Sequence, residues 1–349
     1  MHEALLEIAR SGVRGPSADN RHIFLFEFQD TCICLWATQE FAATTAPHRR
    51  VLGLISLGAV VENMRLRATE LGLFTDAVWS LGIAGSAPLV RLNFQSTSNT
   101  HPDPLAAAIP TRCTNRRMYR GPSLTPDETE SLAAAVSTVK GVQFVLLSGQ
   151  SRKLALSLIW RAESERFLRQ ELHKEIFSSI RFDLSWRETA ELALPPGALE
   201  IEPPMRPIFK ALRHWPLMRQ LTWIGAHHMV GLRAGLLPAW QAPALCILST
   251  SLPMDQGAVA VGAALERVWL RATLLNLAMQ PLAASAVLPL QSTADRGASD
   301  AVRRKLSEGW KAIVPGASPL MVFRLGRAAR PTITSSRPPL ANYILPALR

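Results

Sequence analysis

The chain has 349 residues, 48% of them hydrophobic, enough to bury one large core or two fused ones. No apolar run reaches the roughly 18 uninterrupted residues of a membrane helix, and Met1 to Arg10 reads as an amphipathic helix carrying acids, not as a signal peptide, so the expected address is cytoplasmic. The formal charge of +11 attracts anions, but the basic residues are spread along the chain and mixed with acids from Glu163 to Glu191, which argues against a nucleic-acid surface.

In chain order, residues 2 to 12 read as a helix, His22 to Phe28 and Cys32 to Trp36 as strands, and Val90 to Phe94 as a third strand. A polar, Pro-bearing link from Gln95 to Pro110 follows. Thr125 to Val139 is expected to be helical, with Thr125 and Glu128 forming a capping box, and Gln143 to Leu147 a strand. Arg152 to Lys174 reads as one long helix. From about residue 176 to 240 the chain is rich in Pro and Trp, and strand Ala244 to Ser249, helix Ser299 to Ile313 and strand Leu320 to Leu325 come after it. The expected class is α+β, with helices packed on sheet. Cys32, Cys34, Cys113 and Cys246 are too scattered for a disulfide framework, and neighbouring His227 and His228 point apart on a helix, so no metal site is expected.

One segment occurs twice. Gly58-Ala-Val-Val-Glu-Asn-Met-Arg-Leu-Arg-Ala-Thr-Glu-Leu-Gly-Leu73 matches Gly262-Ala-Ala-Leu-Glu-Arg-Val-Trp-Leu-Arg-Ala-Thr-Leu-Leu-Asn-Leu277 in its Gly-Ala, its Glu and its Leu-Arg-Ala-Thr-x-Leu-x-Leu core. Val61, Met64, Ala68 and Leu71 in one copy, and Leu265, Val268, Ala272 and Leu275 in the other, fall on one helical stripe. A single pair of copies so far apart is too few for a solenoid and points to two related halves facing each other, residues 1–100 and 101–349, the second interrupted by an insert at 176–240.

Three short segments carry candidate chemistry. Gly15-Pro-Ser-Ala-Asp-Asn20 is a turn of the usual turn-forming residues. Arg112-Cys-Thr-Asn-Arg116 offers two guanidiniums and a hydroxyl, a set that gives a phosphate charge-assisted, bidentate hydrogen bonds. Ser336-Arg337-Pro-Pro-Leu340 adds a third cation near the C-terminus. Together they resemble the flavin-binding motifs of the nitroreductase superfamily: the Pro-Ser-x-x-Asn turn, the Arg-x-Ser-x-Arg phosphate motif and the closing Ser-Arg-x-Pro-Leu. The resemblance implies an FMN site in which Pro16, Ser17 and Asn20 face the ring and ribityl chain, and Arg112, Thr114, Arg116, Ser336 and Arg337 bind phosphate. Backbone amides near Pro281, Leu282 and Ala283 would approach flavin N5.

Familiar members are homodimers with FMN at the interface. Here the turn belongs to the first half and both phosphate motifs to the second, with no twin set, so the chain resembles the single-chain, pseudodimeric Acg-like branch with one site. It departs from the family at Ser335, where Lys is usual, at His22, where Gln is usual, and in lacking the Glu-Gly pair near N5. The implied function is transfer of electrons from NAD(P)H through FMN to a nitro, quinone or similar acceptor. The expected partner is that small molecule, with no nucleic acid or membrane contact, and a monomer suffices because the dimer is internal. Neither Gly82-x-x-Gly85 nor Gly257 to Gly262 forms a dinucleotide-binding fingerprint. Two other classes stay open: a protein that stores or sequesters FMN without turnover, and a membrane-surface or partner-binding module. Met205 to Trp240 combines Arg206, Lys210, Arg213, Arg219 and Arg233 with Phe209, Trp215, Trp223 and Trp240, which suits an interfacial helix and equally a lid whose aromatic face covers a ring.

Overall fold

The computed structural model describes residues 1–81, 87–97, 101–292 and 295–345; the Gly82-x-x-Gly85 pair and part of the 95–110 link lie outside them. The elements run α1 (His2–Val13), β1 (Phe24–Gln29), β2 (Cys32–Ala37), α2 (Gln39–Ala42), α3 (Pro47–Glu70), β3 (Leu73–Trp79) and β4 (Val90–Ser96). Then come α4 (Pro126–Ser137), β5 (Val142–Leu146), α5 (Gly149–Leu168), α6 (Gln170–Ser178), α7 (Arg206–Leu212), α8 (Trp215–Thr222), α9 (Ala226–Gly231) and α10 (Leu237–Gln241). The chain closes with β6 (Ala244–Thr250), α11 (Met254–Leu274), β7 (Ala278–Pro281), α12 (Ala284–Val287), α13 (Asp300–Ile313) and β8 (Ser318–Gly326).

The strands form two antiparallel four-stranded sheets with the same order, β1-β2-β4-β3 and β5-β6-β8-β7. In each, the second and third strands are separated by one long helix, α3 or α11, and these helices carry the repeated segment. The sequence signals for β3 and β7 are weak, and neither strand is expected from them. Leu73–Trp79 alternates buried and exposed residues beside a Gly72 turn at φ +69°, and Ala278–Pro281 is four residues ending in proline, which only an edge strand tolerates.

The two repeat helices cross at their glycines. A Cβ at Gly58 would overlap the Val259 carbonyl oxygen, and one at Gly262 would overlap that of Ile55. Because Ile55 and Val259 are themselves repeat equivalents, the contact is reciprocal, as at a two-fold interface. The backbones touch, and the helices are buried far beyond the single stripe that periodicity indicated: 16 of 24 residues of α3 are buried. Helices apolar on most faces belong inside a core.

Two further expectations change. The 152–174 helix is broken at Arg169 (φ −102°, ψ 129°) into α5 and α6. The 95–110 link is not simply a solvated connection: Leu105, Ala106, Ala108 and Ile109 pack with Leu66 and Leu270 in a buried cluster. The capping box of α4 forms as read, with Thr125 Oγ1 accepting from Glu128 N and Glu128 Oε2 accepting from Thr125 N. The four cysteines are free thiols.

The two sheets differ in one connection. β1 and β2 are joined by a tight hairpin, whereas β5 and β6 are joined by everything from Leu147 to Pro243, including α5 and the insert. Gly231 and Gly235 bring the insert's last helical stretch directly against Ser164 and Glu163 of α5.

The helix crossing yields a test. Gly58→Ala and Gly262→Ala should each lower stability by about 1–3 kcal/mol, the usual cost of overpacking, despite the better helix propensity of alanine. Urea unfolding measures it; unchanged or raised stability in both variants would show that the helices have room to separate.

Candidate active site

The turn after α1 is built for its place. Asp19 and Asn20 both adopt left-handed backbone (φ 54° and 58°), a conformation that Asp and Asn tolerate better than other side-chain-bearing residues. Ser56 Oγ of α3 donates to Pro16 O at 2.9 Å and fixes the turn to the central helix. Asn20 is buried, and its Nδ2 faces the carbonyls of Glu191 (3.0 Å), Ser336 (3.3 Å) and Ala190 (3.4 Å), so this side chain ties the turn to the insert and to the C-terminal segment. Ser17 Oγ is buried without a hydrogen-bond partner.

The 112–116 segment is anchored through its middle. Asn115 donates from its backbone to Met279 O of β7 (3.0 Å) and from Nδ2 to Ala329 O (2.8 Å), which leaves Arg112, Thr114 and Arg116 to face the space between the sheets. Arg112 is held by three contacts. Its Nε lies 3.0 Å from Glu266 Oε1 as an ion pair lacking hydrogen-bond alignment, its Nη2 donates to Arg14 O at 2.5 Å, and its guanidinium lies 4.6 Å above the Trp269 ring. Arg337 reaches the same place from the C-terminal segment, donating to Val13 O (3.1 Å) and Gly15 O (2.7 Å). Arg116 turns toward the insert and donates to Ala198 O at 3.2 Å.

These segments enclose a cavity of about 1480 Å³. All eleven residues singled out from sequence line it: Pro16, Ser17 and Asn20 from the first turn, Arg112, Thr114 and Arg116, Pro281, Leu282 and Ala283, and Ser336 and Arg337. At the end of β7, Pro281 has no amide N–H and Leu282 N–H donates to Val322 O at 2.7 Å.

The electrostatics favour an anion. Arg112 and Arg337 stand close enough that each opposes the other's charge, and Glu266 is the one carboxylate that balances them among the described residues. Burial, aided by Arg112, holds Arg337 down to about 10, while burial pushes the Glu266 carboxyl up against the pull of Arg112. Burial likewise lowers Arg116, with Tyr119 and Asp19 opposing.

His22 belongs to this structure as a neutral ring. Its Nε2 lies 2.9 Å from Val13 O, so that nitrogen carries the proton, and Nδ1 is buried without a partner. Burial first, then Arg337 and Arg112, lower its pKa to about 3.

The insert roofs the cavity differently from its aromatic reading. Ile176, Leu199, Phe209, Leu221, Val230 and Leu237 are among its lining residues, but Trp215, Trp223 and Trp240 are not. Trp215 packs on His173, while Trp223 and Trp240 point outward. A heptad or moment pattern cannot separate these outcomes in helices of five to eight residues, because each supplies fewer than three turns.

Sequence reasoning missed Glu266 and Trp269, which hold Arg112. Glu266 matches Glu62 in the repeat, so a signal existed, but it marked a shared helix residue and gave no partner. Glu163, Arg166 and Glu175 also reach the cavity, and Arg166 Nη1 lies 3.0 Å from Glu163 Oε2.

No protein-family model and no curated protein matches the chain. Among solved structures it is similar to an FMN-bound nitroreductase from Bacteroides fragilis, at 15% identity over 65% of this chain and 89% of that one, with a TM-score of 0.35. It is similar to an FMN-dependent nitroreductase from Mycobacterium smegmatis in complex with NADPH, at 14% identity over 67% and 94%, with a TM-score of 0.36. A BluB-like flavoprotein from Clostridium difficile compares at 12% identity over 69% and 97%, with a TM-score of 0.39.

The His22 geometry sets a pH dependence. The unfolded ring protonates below its ordinary value near 6.5 while the folded ring stays neutral to about 3, so its contribution to stability is present above about 6.5 and is lost as pH falls toward about 3. His22→Gln should flatten the acid limb of stability against pH by up to about 1.4 kcal/mol per pH unit in that window. Urea titrations across the window decide it; parallel limbs for the two proteins would mean that His22 charges freely in the fold.

Proposed function

We propose that this chain is an FMN-binding oxidoreductase of nitroreductase type, with a single flavin site between two related halves, residues 1–100 and 101–349, arranged as an internal pseudodimer. The observation that carries the reading is the convergence of three motif segments, from residues 16–20, 112–116 and 336–337, on one cavity. Fit to the cofactor is supported by an excess of buried positive charge, by the unpartnered Ser17 Oγ, and by a volume above the roughly 300–1000 Å³ of an ordinary small-molecule pocket. That space suits a flavin and a second molecule together.

In this reading Arg112 and Arg337 hold the phosphate, with Thr114 and Arg116 at its margin and Ser336 beside Arg337. The ion pair with Glu266 and the stack on Trp269 keep the Arg112 fork from folding away. Ser17 supplies a hydroxyl to the cofactor, and Asn20, its amide nitrogen committed to carbonyls, has Oδ1 left to accept. The Ala283 amide serves the ring edge. The insert excludes water and limits which acceptors enter. FMN, when bound, supplies a centre that takes hydride from NAD(P)H and gives electrons to a nitro, quinone or similar acceptor. The glycine crossing and its reciprocal contacts support a monomer whose dimer is internal.

Titration of the apoprotein with FMN, followed by quenching of flavin fluorescence, should give one flavin per chain. Arg337→Gln should weaken binding by about 10–150-fold, the loss of a charge-assisted contact of roughly 1.5–3 kcal/mol, with far-UV spectra unchanged and partial recovery in Arg337→Lys. Equal affinity in a folded Arg337→Gln protein would overturn the phosphate assignment, and two flavins per chain the single site. Steady NADPH oxidation separates the enzyme from a protein that only sequesters FMN.

A further inference from the structure

The segment from Pro203 to Trp240 combines cations with exposed apolar side chains. It holds five Lys and Arg and no Asp or Glu. Lys210, Arg213 and Arg219 are exposed, and only Arg233 among the five is paired with a carboxylate, that of Glu202. The same segment carries the most exposed apolar side chains of the described protein: Trp223 is 90% and Ile224 80% exposed. The two are consecutive and sit at the tip where α8 turns into α9, just before Gly225 at φ +80°. Met229, at 65%, is exposed on the next helix, and Trp240, at 63%, on α10.

The patch is also the mouth of the cavity. Met205, Ile208, Ile224 and Met229 are exposed and line the cavity as well, so the opening is rimmed by aliphatic and thioether groups. A contiguous apolar surface of this kind costs free energy in water and marks an interaction site. Exposed tryptophan and isoleucine at a helix turn, in a segment whose Arg206, Lys210, Arg213 and Arg219 have no carboxylate partner among the described residues, match the chemistry of a bilayer interface bearing anionic headgroups. A protein partner would more often meet a polar rim of both signs.

We propose that Pro203–Trp240 docks on an anionic lipid surface, with Trp223 and Ile224 inserted at the headgroup boundary and the cavity mouth turned toward the membrane. This reverses the expectation of no membrane contact. The proposal goes beyond the flavin reading and does not depend on it: docking uses the outer face of the insert, whereas the phosphate residues lie at the inner end of the cavity.

Vesicle flotation of the full chain tests it. With phosphatidylcholine vesicles containing phosphatidylglycerol at ~0.1 M salt the protein should float. It should float less with phosphatidylcholine alone or at ~1 M salt, where the screening length falls from about 10 Å to about 3 Å. The double variant Lys210→Gln, Arg219→Gln should lower partitioning roughly fivefold per charge removed. Trp223→Ser with Ile224→Ser should lower it at least tenfold. Lys210, Arg219 and Trp223 are exposed and do not line the cavity, so thermal midpoint and FMN affinity should not move in the charge variant or in Trp223→Ser alone, which separates failure of this proposal from failure of the flavin site. Wild-type protein that stays at the bottom with anionic vesicles at low salt overturns the proposal, as does flotation of both variants equal to wild type. Concentration-dependent dimers abolished by Trp223→Ser with Ile224→Ser would overturn it in favour of a second copy of the chain.

Discussion

The whole arrangement rests on two helix backbones in contact. Where α3 crosses α11, Gly58 meets the Val259 carbonyl and Gly262 meets that of Ile55, and any side chain at either glycine would push the helices apart. The close approach has consequences on both sides. From α3, Ser56 holds the Pro16 carbonyl and so the turn that ends at Asn20. From α11, Glu266 and Trp269 hold the Arg112 guanidinium. Parts of the cavity wall are therefore carried by the two crossing helices, and its geometry depends on their separation. Rigid elements position a site more tightly than loops do.

Near symmetry makes the asymmetry informative. Glu62 and Glu266 are equivalent in the repeat and both are buried, yet their partners differ. Glu266 faces Arg112 at the cavity. Glu62 lies 2.7 Å from Arg267 Nη1, and the same guanidinium reaches Asp103 (2.9 Å) and the Ala135 carbonyl (3.1 Å). An arginine bound by two carboxylates and a carbonyl is a closed structural pair, whereas one carboxylate shared between Arg112 and Arg337 leaves positive charge over. The surroundings of Glu266 thus carry a net positive charge, and those of Glu62 are already neutralised.

The insert adds a second polarity, between inside and outside. Its inner face is mostly aliphatic, with Phe209 among it, while Trp215 packs on α6 and Trp223 and Trp240 face outward, so it separates the cavity from water without using these rings. The C-terminal segment closes the remaining side. Ser336 N donates to Ala190 O of the insert, and Leu345 N donates to Phe26 O on the edge of the first sheet, so the segment belts the cavity and meets the outer side of edge strand β1.

Local patterns were legible in the sequence because their physics is local. The α4 capping box, strands β1, β2, β4, β5, β6 and β8, and the turn at 15–20 follow from neighbours within a few residues. The repeat was legible too, and with it two related helices, and the eleven residues picked out by motif resemblance are among those that line the cavity. Other features answer to partners far along the chain. The break at Arg169, the short strands β3 and β7, and the burial of 105–109 are set by packing that no window of sequence contains. Which residue neutralises Arg112, and whether Trp223 faces the cavity or the solvent, depends on where Glu266 and α5 lie in space. Residue type and spacing set which groups are present and what each can bond; only the helix crossing decided which of them meet, because desolvation and charge pairing act over distances in space and not along the chain.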